Sequence, residues 1–285
     1  MNINEILRTV LDKIDESFSK NVSYLGHATG FDDVDCKSLG LKPSELTVIA
    51  ARPSMGKTTF CTNILKNIAV DAEMNVAYFS ANCSAEEVVM RMIVSMKKIP
   101  LWKLRTGKIE DGDWCKLTAV VNTLKDKYIS IFDSPSMSIM GICQQCIDSN
   151  HNKKLDLIIV DDIQQLAIRS EENTDDAISE IAHNLKLLAV TLKIPIIVTS
   201  QLNRDLEQRK NKRPILSDLK ETGILTQLAD MIIFIYRDEI YEENSDKKGI
   251  AEIIIKKNRF GPTGFVHLAF NSEHMVFETI IESFD

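Results

Sequence analysis

The chain has 285 residues, 44% of them hydrophobic and 26% charged, enough to bury one large α/β core with short appendages. A formal net charge of -7 argues against coating nucleic acid with the whole surface, while leaving room for a basic channel or loop. No apolar run approaches the ~20 residues that cross a bilayer, and the opening MNINEILRTVLDKI mixes charges through its apolar positions, so a cytoplasmic protein with no membrane partner is expected.

Ile3, Ile6, Leu7, Val10, Leu11 and Ile14 recur at helical spacing, with Asn2, Asp12, Lys13, Asp15 and Glu16 opposite, which predicts an amphipathic helix over 3–18. A polar stretch over 19–29 follows. That helix must bury its apolar face on its own core or on a neighbouring subunit.

From Leu46 onward, short apolar runs alternate with helical patterns. LTVIAA precedes a helix from Lys57, VAYFS a helix from Ser84, YISIF a helix over 137–150, and LDLIIVDD a helix over 177–192; IPIIVTS comes next. Runs without polar alternation, separated by crossover-length helices, predict a parallel sheet covered on both faces. After a polar loop over 201–217, ADMIIFIY, AEIIIKK and FVHLAF extend the sheet with antiparallel pairs at its edge, with turn signals at Asn244-Ser245-Asp246 and Phe260-Gly261-Pro262. Among six scattered cysteines only Cys143 and Cys146 have a Cys-x-x-Cys spacing. With His151 the one further ligand nearby, buried helical thiols are expected rather than zinc.

The run Ala51-Arg52-Pro53-Ser54-Met55-Gly56-Lys57-Thr58 follows a strand and opens a helix, the setting a phosphate-binding loop requires. Ser54, Met55, Gly56, Lys57, Thr58 and Thr59 would then surround the phosphates of ATP, with Lys57 reaching the β/γ oxygens and Thr58 binding Mg²⁺. Ala51 stands where the pattern has its first glycine, which a backbone avoiding positive φ tolerates. The strand Leu157-Ile158-Ile159-Val160 ends in Asp161, placed to deliver a carboxylate to Mg²⁺ at the carboxyl edge of a parallel sheet. A strand-terminal Asp by itself is an ordinary cap or turn residue; the two elements in order point to a nucleotide site.

Six segments then carry a resemblance. ATGFDDVD, ARPSMGKTTF, SAEEVVMRM, RTGKIEDGDW, TSQLNRDLEQRKNKRPILSDLKETG and GIAEIIIKKNRFGPTG, in this order, resemble DnaB-type helicase motor domains over nearly the whole chain. The resemblance implies a RecA-like P-loop NTPase that moves along single-stranded DNA as a ring hexamer, with ATP sites between subunits and a helicase loader or primase as further partner. Residues 1–20 would be a linker helix docked on the adjacent subunit and 21–285 the motor; the family's separate N-terminal domain is not expected in this chain. By the same resemblance Gln201 senses the γ-phosphate, while Lys257 and Arg259 are supplied to the neighbour's ATP, where a cation stabilises charge developing on the transferred phosphoryl. Apart from the family, Lys256, Lys257 and Arg259 would be solvated edge-strand charges. Arg209, Lys210, Lys212 and Arg213, followed by Lys220, Glu221 and Gly223, would line the DNA channel.

Several positions depart from the family. Asn82 stands where the family has the glutamate that orients the attacking water, and an amide cannot accept the proton; water activation contributes about a hundredfold to ten-thousandfold. Asp162 occupies a position that is aromatic in the family and is a candidate replacement base. Lys220 replaces an arginine, keeping charge without bidentate geometry. Ile224, Thr226 and Leu228 are less polar than the family pattern. Two main readings follow: an ATP-driven helicase motor, or a helicase paralogue that binds ATP as a switch with weak or no hydrolysis. A strand-exchange recombinase would share the fold without the motif set.

Overall fold

The apolar runs become strands for the reason their composition suggests: both faces of each are covered. The structure, a computed structural model, describes residues 2–20, 26–169 and 174–280. In chain order its strands are β1 (Leu46–Ala51), β2 (Val76–Ser80), β3 (Ile129–Phe132), β4 (Leu157–Asp161), β5 (Ile196–Gln201), β6 (Met231–Tyr236), β7 (Ile250–Asn258), β8 (Gly264–Asn271) and β9 (Val276–Thr279). They form one sheet in the order β3-β2-β4-β5-β1-β6-β7-β8-β9. Pairs from β3 through β6 are parallel, and β6 through β9 form an antiparallel meander.

Alternate residues of the parallel strands face opposite layers. Leu46, Val48, Ala50, Ile158, Val160, Ile196 and Val198 join one apolar cluster, and Ile49, Ala51, Leu157, Ile159 and Ile197 the other. The first layer is covered by α7 (Ile139–Asn152), α8 (Ile163–Ile168) and α9 (Thr174–Leu192), the second by α2 (Asp32–Ser38), α3 (Lys57–Lys66) and α4 (Ala85–Lys97). Ser84 and Ser138 cap α4 and α7, their hydroxyls accepting from the Glu87 and Gly141 N–H groups, so each helix starts at a serine. Cys146 is buried on α7 and Cys143 partly so, which raises both thiols' pKa.

Residues 101–124 hold two helices that the sequence reading passed over, α5 (Leu101–Thr106) and α6 (Asp111–Leu124). The short α10 (Gly223–Leu228) follows a 3-10 segment, Leu216–Thr222. The first helix, α1 (Ile3–Lys20), forms as expected, and its Ile3, Leu7, Val10 and Leu11 remain exposed. No helix among the described residues is long and apolar enough to cross a membrane.

Candidate nucleotide site

β1, β4, β5 and β6 all run in the same sense, so their carboxyl ends open on one edge of the sheet. A cavity of about 460 Å³ lies there, lined by Ser54, Gly56, Lys57, Thr58, Thr59, Asn82, Asp161, Asp162 and Gln201 among the positions singled out in the sequence. Met55 is the exception in that loop. Its side chain is buried in the apolar core and its sulfur accepts from the Arg237 N–H at 3.3 Å, so only its backbone can serve a phosphate.

The loop's shape comes from two residues. Ser54 and Gly56 both take positive φ, 66° and 99°. A Cβ added at Gly56 would also meet the Phe277 ring at 3.0 Å, so the position needs glycine twice over. Ala51, in contrast, is the last residue of β1 with no positive φ, and its methyl is buried in the core. Gly56 caps α3 without a side chain, which leaves the first amides of that helix available for an anion.

Charge in the cavity is loosely balanced. Lys57 Nζ bonds to the Ala51 carbonyl at 3.4 Å and stands 3.9 Å from Asp162 Oδ2. Burial lowers the Lys57 pKa and raises that of Asp162, in each case outweighing their mutual attraction. Asp162 also caps α8, its Oδ1 accepting from the Gln165 N–H at 3.0 Å. Its neighbour Asp161 is held differently: one carboxylate oxygen accepts from the buried Tyr78 hydroxyl at 2.9 Å and the other from the Thr199 hydroxyl. Two adjacent acids therefore have separate tasks, one fixed by hydroxyl donors and one facing the lysine.

Asn82 lies two residues past the end of β2 and Asp162 one past the end of β4, and because Ser80 pairs with Asp161 both fall at the same end of the sheet and line the cavity. The chain at Asn82 is fixed by the Ala81 carbonyl, which accepts from Arg169 Nη2 at 2.7 Å. Gln201 is clamped through its backbone by Gln164, whose amide accepts from the Gln201 N–H at 3.0 Å and donates to its carbonyl at 3.1 Å. Its own side chain lines the cavity.

Arg52, Arg91, Gln165, Arg237, Phe270, Ser272 and Met275 also line the cavity. Arg237 ends β6, donates to the Ser54 carbonyl at 3.1 Å and lies 3.9 Å above the Phe270 ring. The meander reaches the loop because Asn63 on α3 bonds to both Met275 O and Phe277 N.

Lys257 and Arg259 lie elsewhere. Lys257 pairs with Ile232 at the start of β6 whereas Arg237 follows its end, a separation of about 16 Å along the strand. Lys257 Nζ donates to the carbonyls of Thr226 and Gln227 at 2.9 and 3.1 Å, and Arg259 contacts the buried Asp230 at 3.4 Å. Neither serves this chain's own cavity.

In the polar loop, Arg209 forks onto Asp218 at 2.8 and 2.7 Å, and Arg213 forks onto the buried Glu252 at 2.6 Å through both nitrogens. Arg213 also covers the Tyr236 ring and Lys212 the Tyr241 ring. Lys210 is exposed, and Gly223 opens α10 exposed. The side chains of Lys220 and Glu221 lie outside those described.

The family model of the DnaB-like helicase C-terminal domain matches residues 26–279. The replicative DNA helicase DnaB of Buchnera aphidicola subsp. Baizongia pistaciae (strain Bp) is 46% identical over 288 residues, covering 99% of this chain and 62% of that protein. Geobacillus stearothermophilus DnaB is 41% identical over 286 residues, covering 100% and 63%. Of solved structures, the ATPase domain of G40P superposes with a TM-score of 0.92 at 34% identity, covering 98% of this chain and 99% of that one. The chain thus spans about three fifths of the curated relatives it matches.

Proposed function

This chain belongs to the DnaB-like helicase C-terminal domain family, and from that membership we propose that it is the ATP-hydrolysing motor of a replicative DNA helicase, moving on single-stranded DNA as a ring of like subunits. The observation that carries the reading is the division of the nucleotide machinery. Lys57, Thr58, Asp161 and Gln201 meet in one cavity, while Lys257 and Arg259 stand toward the opposite end of the strands, out of reach of that cavity, which supports their being supplied to a neighbour's site.

The residues fit a nucleoside triphosphate with Mg²⁺. A small hard cation that keeps most of its water needs few oxygen ligands, and Thr58 with the hydroxyl-fixed Asp161 supplies them, Asp161 acting through water. Bound there, Mg²⁺ would neutralise charge on the β- and γ-phosphates. Lys57 and the α3 amides hold the phosphates, Gln201 faces the γ-phosphate from β5, and Asp162 is the carboxylate in the same cavity as Asn82 able to take a proton from water. Lys257 and Arg259 stabilise the charge that develops on the neighbour's phosphoryl group.

Assembly is supported by two unpartnered surfaces. α1 exposes Ile3, Leu7, Val10 and Leu11, and a groove lined by Val89, Met90, Ile93, Leu104, Ile129 and Ile131 offers an apolar seat between α4, α5 and the edge strand β3. One solved relative is titled a DnaB-like replicative helicase with its interactions with primase; it matches at 35% identity with a TM-score of 0.89, covering 99% of this chain and 67% of that one. A primase is accordingly the expected protein partner.

Asn82 in the cavity favours a second reading, an ATP-held switch without turnover. Steady-state ATPase with and without single-stranded DNA separates the two. Turnover stimulated by DNA about tenfold or more supports the motor; tight nucleotide binding with no turnover in either condition supports the switch.

A further inference from the structure

Arg52 belongs to the phosphate loop, yet its side chain reaches out of it. Its carbonyl accepts from the Met55 N–H at 3.4 Å within the loop. Its Nε donates to Glu207 Oε1 at 2.8 Å and its Nη1 to the Leu202 carbonyl at 2.9 Å, both in the segment that follows β5. The Arg52 side chain is only 8% exposed and that of Glu207 42%, so the pair is half withdrawn from water and held more firmly than a surface ion pair.

The segment it grips is braced internally. Leu206 is buried, and its carbonyl accepts from the Arg209 N–H at 3.2 Å. Arg209 forks onto Asp218, and the Asp218 carbonyl accepts from the Asn203 N–H at 3.0 Å. These bonds tie residues 202–218 into one braced unit, with Lys210 and Lys212 on it. The unit meets the phosphate loop at Leu202 and Glu207, and Glu207 supplies the side-chain half of that contact.

We propose that Arg52 is a positioning residue that links the phosphate loop to the basic segment 202–213, so that nucleotide occupancy sets how this segment is presented to single-stranded DNA. The inference rests on the motor reading above. A planar guanidinium held at two points transmits a shift of its own backbone, as a single flexible ammonium would not. Phosphates entering the cavity close the loop around themselves and bring negative charge beside the guanidinium that Glu207 holds. Both effects move the Arg52–Glu207 tie, and the braced unit follows it.

Glu207→Ala tests the link, because Glu207 lies outside the nucleotide cavity and basal ATPase should stay within about twofold of the parent. Affinity for an oligo-dT probe is measured with and without a non-hydrolysable ATP analogue, together with trypsin cleavage at Arg204, Arg209 and Lys210 under both conditions. The parent should show a nucleotide-dependent change of about fivefold or more in oligo-dT affinity and a matching change in cleavage. In Glu207→Ala both differences should collapse to within about twofold, and Glu207→Gln, which keeps an oxygen acceptor, should recover part of them. Arg52→Lys should lose the same differences while still binding the analogue. A nucleotide response in Glu207→Ala equal to the parent's overturns the link and leaves the motor reading standing. A parent that binds the analogue but shows no nucleotide response in either measurement overturns the link as well. A parent that neither binds nor hydrolyses ATP overturns the motor reading and the link together.

Discussion

Lys57 and Asp162 face each other at 3.9 Å across the phosphate cavity, each partly neutralising a charge that burial disfavours. A triphosphate bound there would supply Lys57 with a stronger counter-charge and release Asp162. We predict that Lys57→Ala lowers affinity for ATP·Mg²⁺ by about a hundredfold or more, since it removes the cation placed on the β/γ oxygens and leaves Asp162 without its partner. Calorimetric titration giving the parent's affinity would remove the phosphate-loop assignment.

By the resemblance, Asn82 stands where a catalytic glutamate would be expected. If Asp162 has taken the role, Asp162→Asn should cut DNA-stimulated ATPase by about a hundredfold with nucleotide affinity retained, and Asn82→Glu should give little gain, because two carboxylates would crowd the phosphate. If no base has replaced the glutamate, Asn82→Glu should raise turnover about tenfold or more. Should neither substitution change a readily measured rate, the alignment of Asn82 with the catalytic position is wrong.

Arg259 contacts Asp230 at 3.4 Å, is 64% exposed, and sits far from its own chain's cavity. We predict that Arg259→Ala preserves nucleotide binding by single subunits but removes most hydrolysis by the assembled form. Mixing it with Lys57→Ala should restore activity, because one interface of the mixture then pairs an intact cavity with an intact arginine. Confirmed co-assembly without any restoration in any ratio counts against action between subunits.

Removal of residues 1–20 should move the protein toward monomers in sedimentation or light scattering with little change in its melting temperature. The exposed Ile3, Leu7, Val10 and Leu11 give α1 an apolar face to bury on another subunit. A large fall in monomer melting temperature would show instead that the helix packs on its own domain.

Much of this architecture could be read from the chain because burial on both faces writes itself as apolar runs. β1, β2, β4, β5 and β6 all match runs such as LTVIAA and ADMIIFIY, and the turn signals at 244–246 and 260–262 separate β6, β7 and β8. β9 escaped because four residues, Val276–Thr279, carry too short a pattern, and their partner β8 is chosen by the sheet. In the cavity, Lys57, Asp161 and Gln201 were legible since each sits at the end of a recognisable strand or loop. Arg237 ends one too, yet nothing local says that β6 lies beside β1. Phe270, Ser272 and Met275 reach the cavity only through the meander's contact with Asn63. In the basic loop the partners of the arginines were hidden for a related reason. A polar stretch looks the same whether its arginines are free or held, and the carboxylates that hold Arg209 and Arg213 lie nine and 39 residues away.

That last pairing bears on how the protein would respond to ionic strength. Binding to single-stranded nucleic acid releases about 0.7 condensed counter-ions per phosphate neutralised. Free, the four cations Arg209, Lys210, Lys212 and Arg213 would contribute about -2.8 to the logarithmic salt slope per engaged chain; with Arg209 and Arg213 already paired to Asp218 and Glu252, Lys210 and Lys212 contribute about -1.4. A salt titration of Lys210→Ala should therefore flatten the slope by about 0.7, whereas Arg213→Ala should leave it nearly unchanged and lower stability instead, by leaving the buried Glu252 with Lys247 as its remaining hydrogen-bonded cation. A loop built this way would engage fewer phosphates, so its hold on a strand would be weaker at low salt but would fall off less steeply as ionic strength rises than that of four free cations.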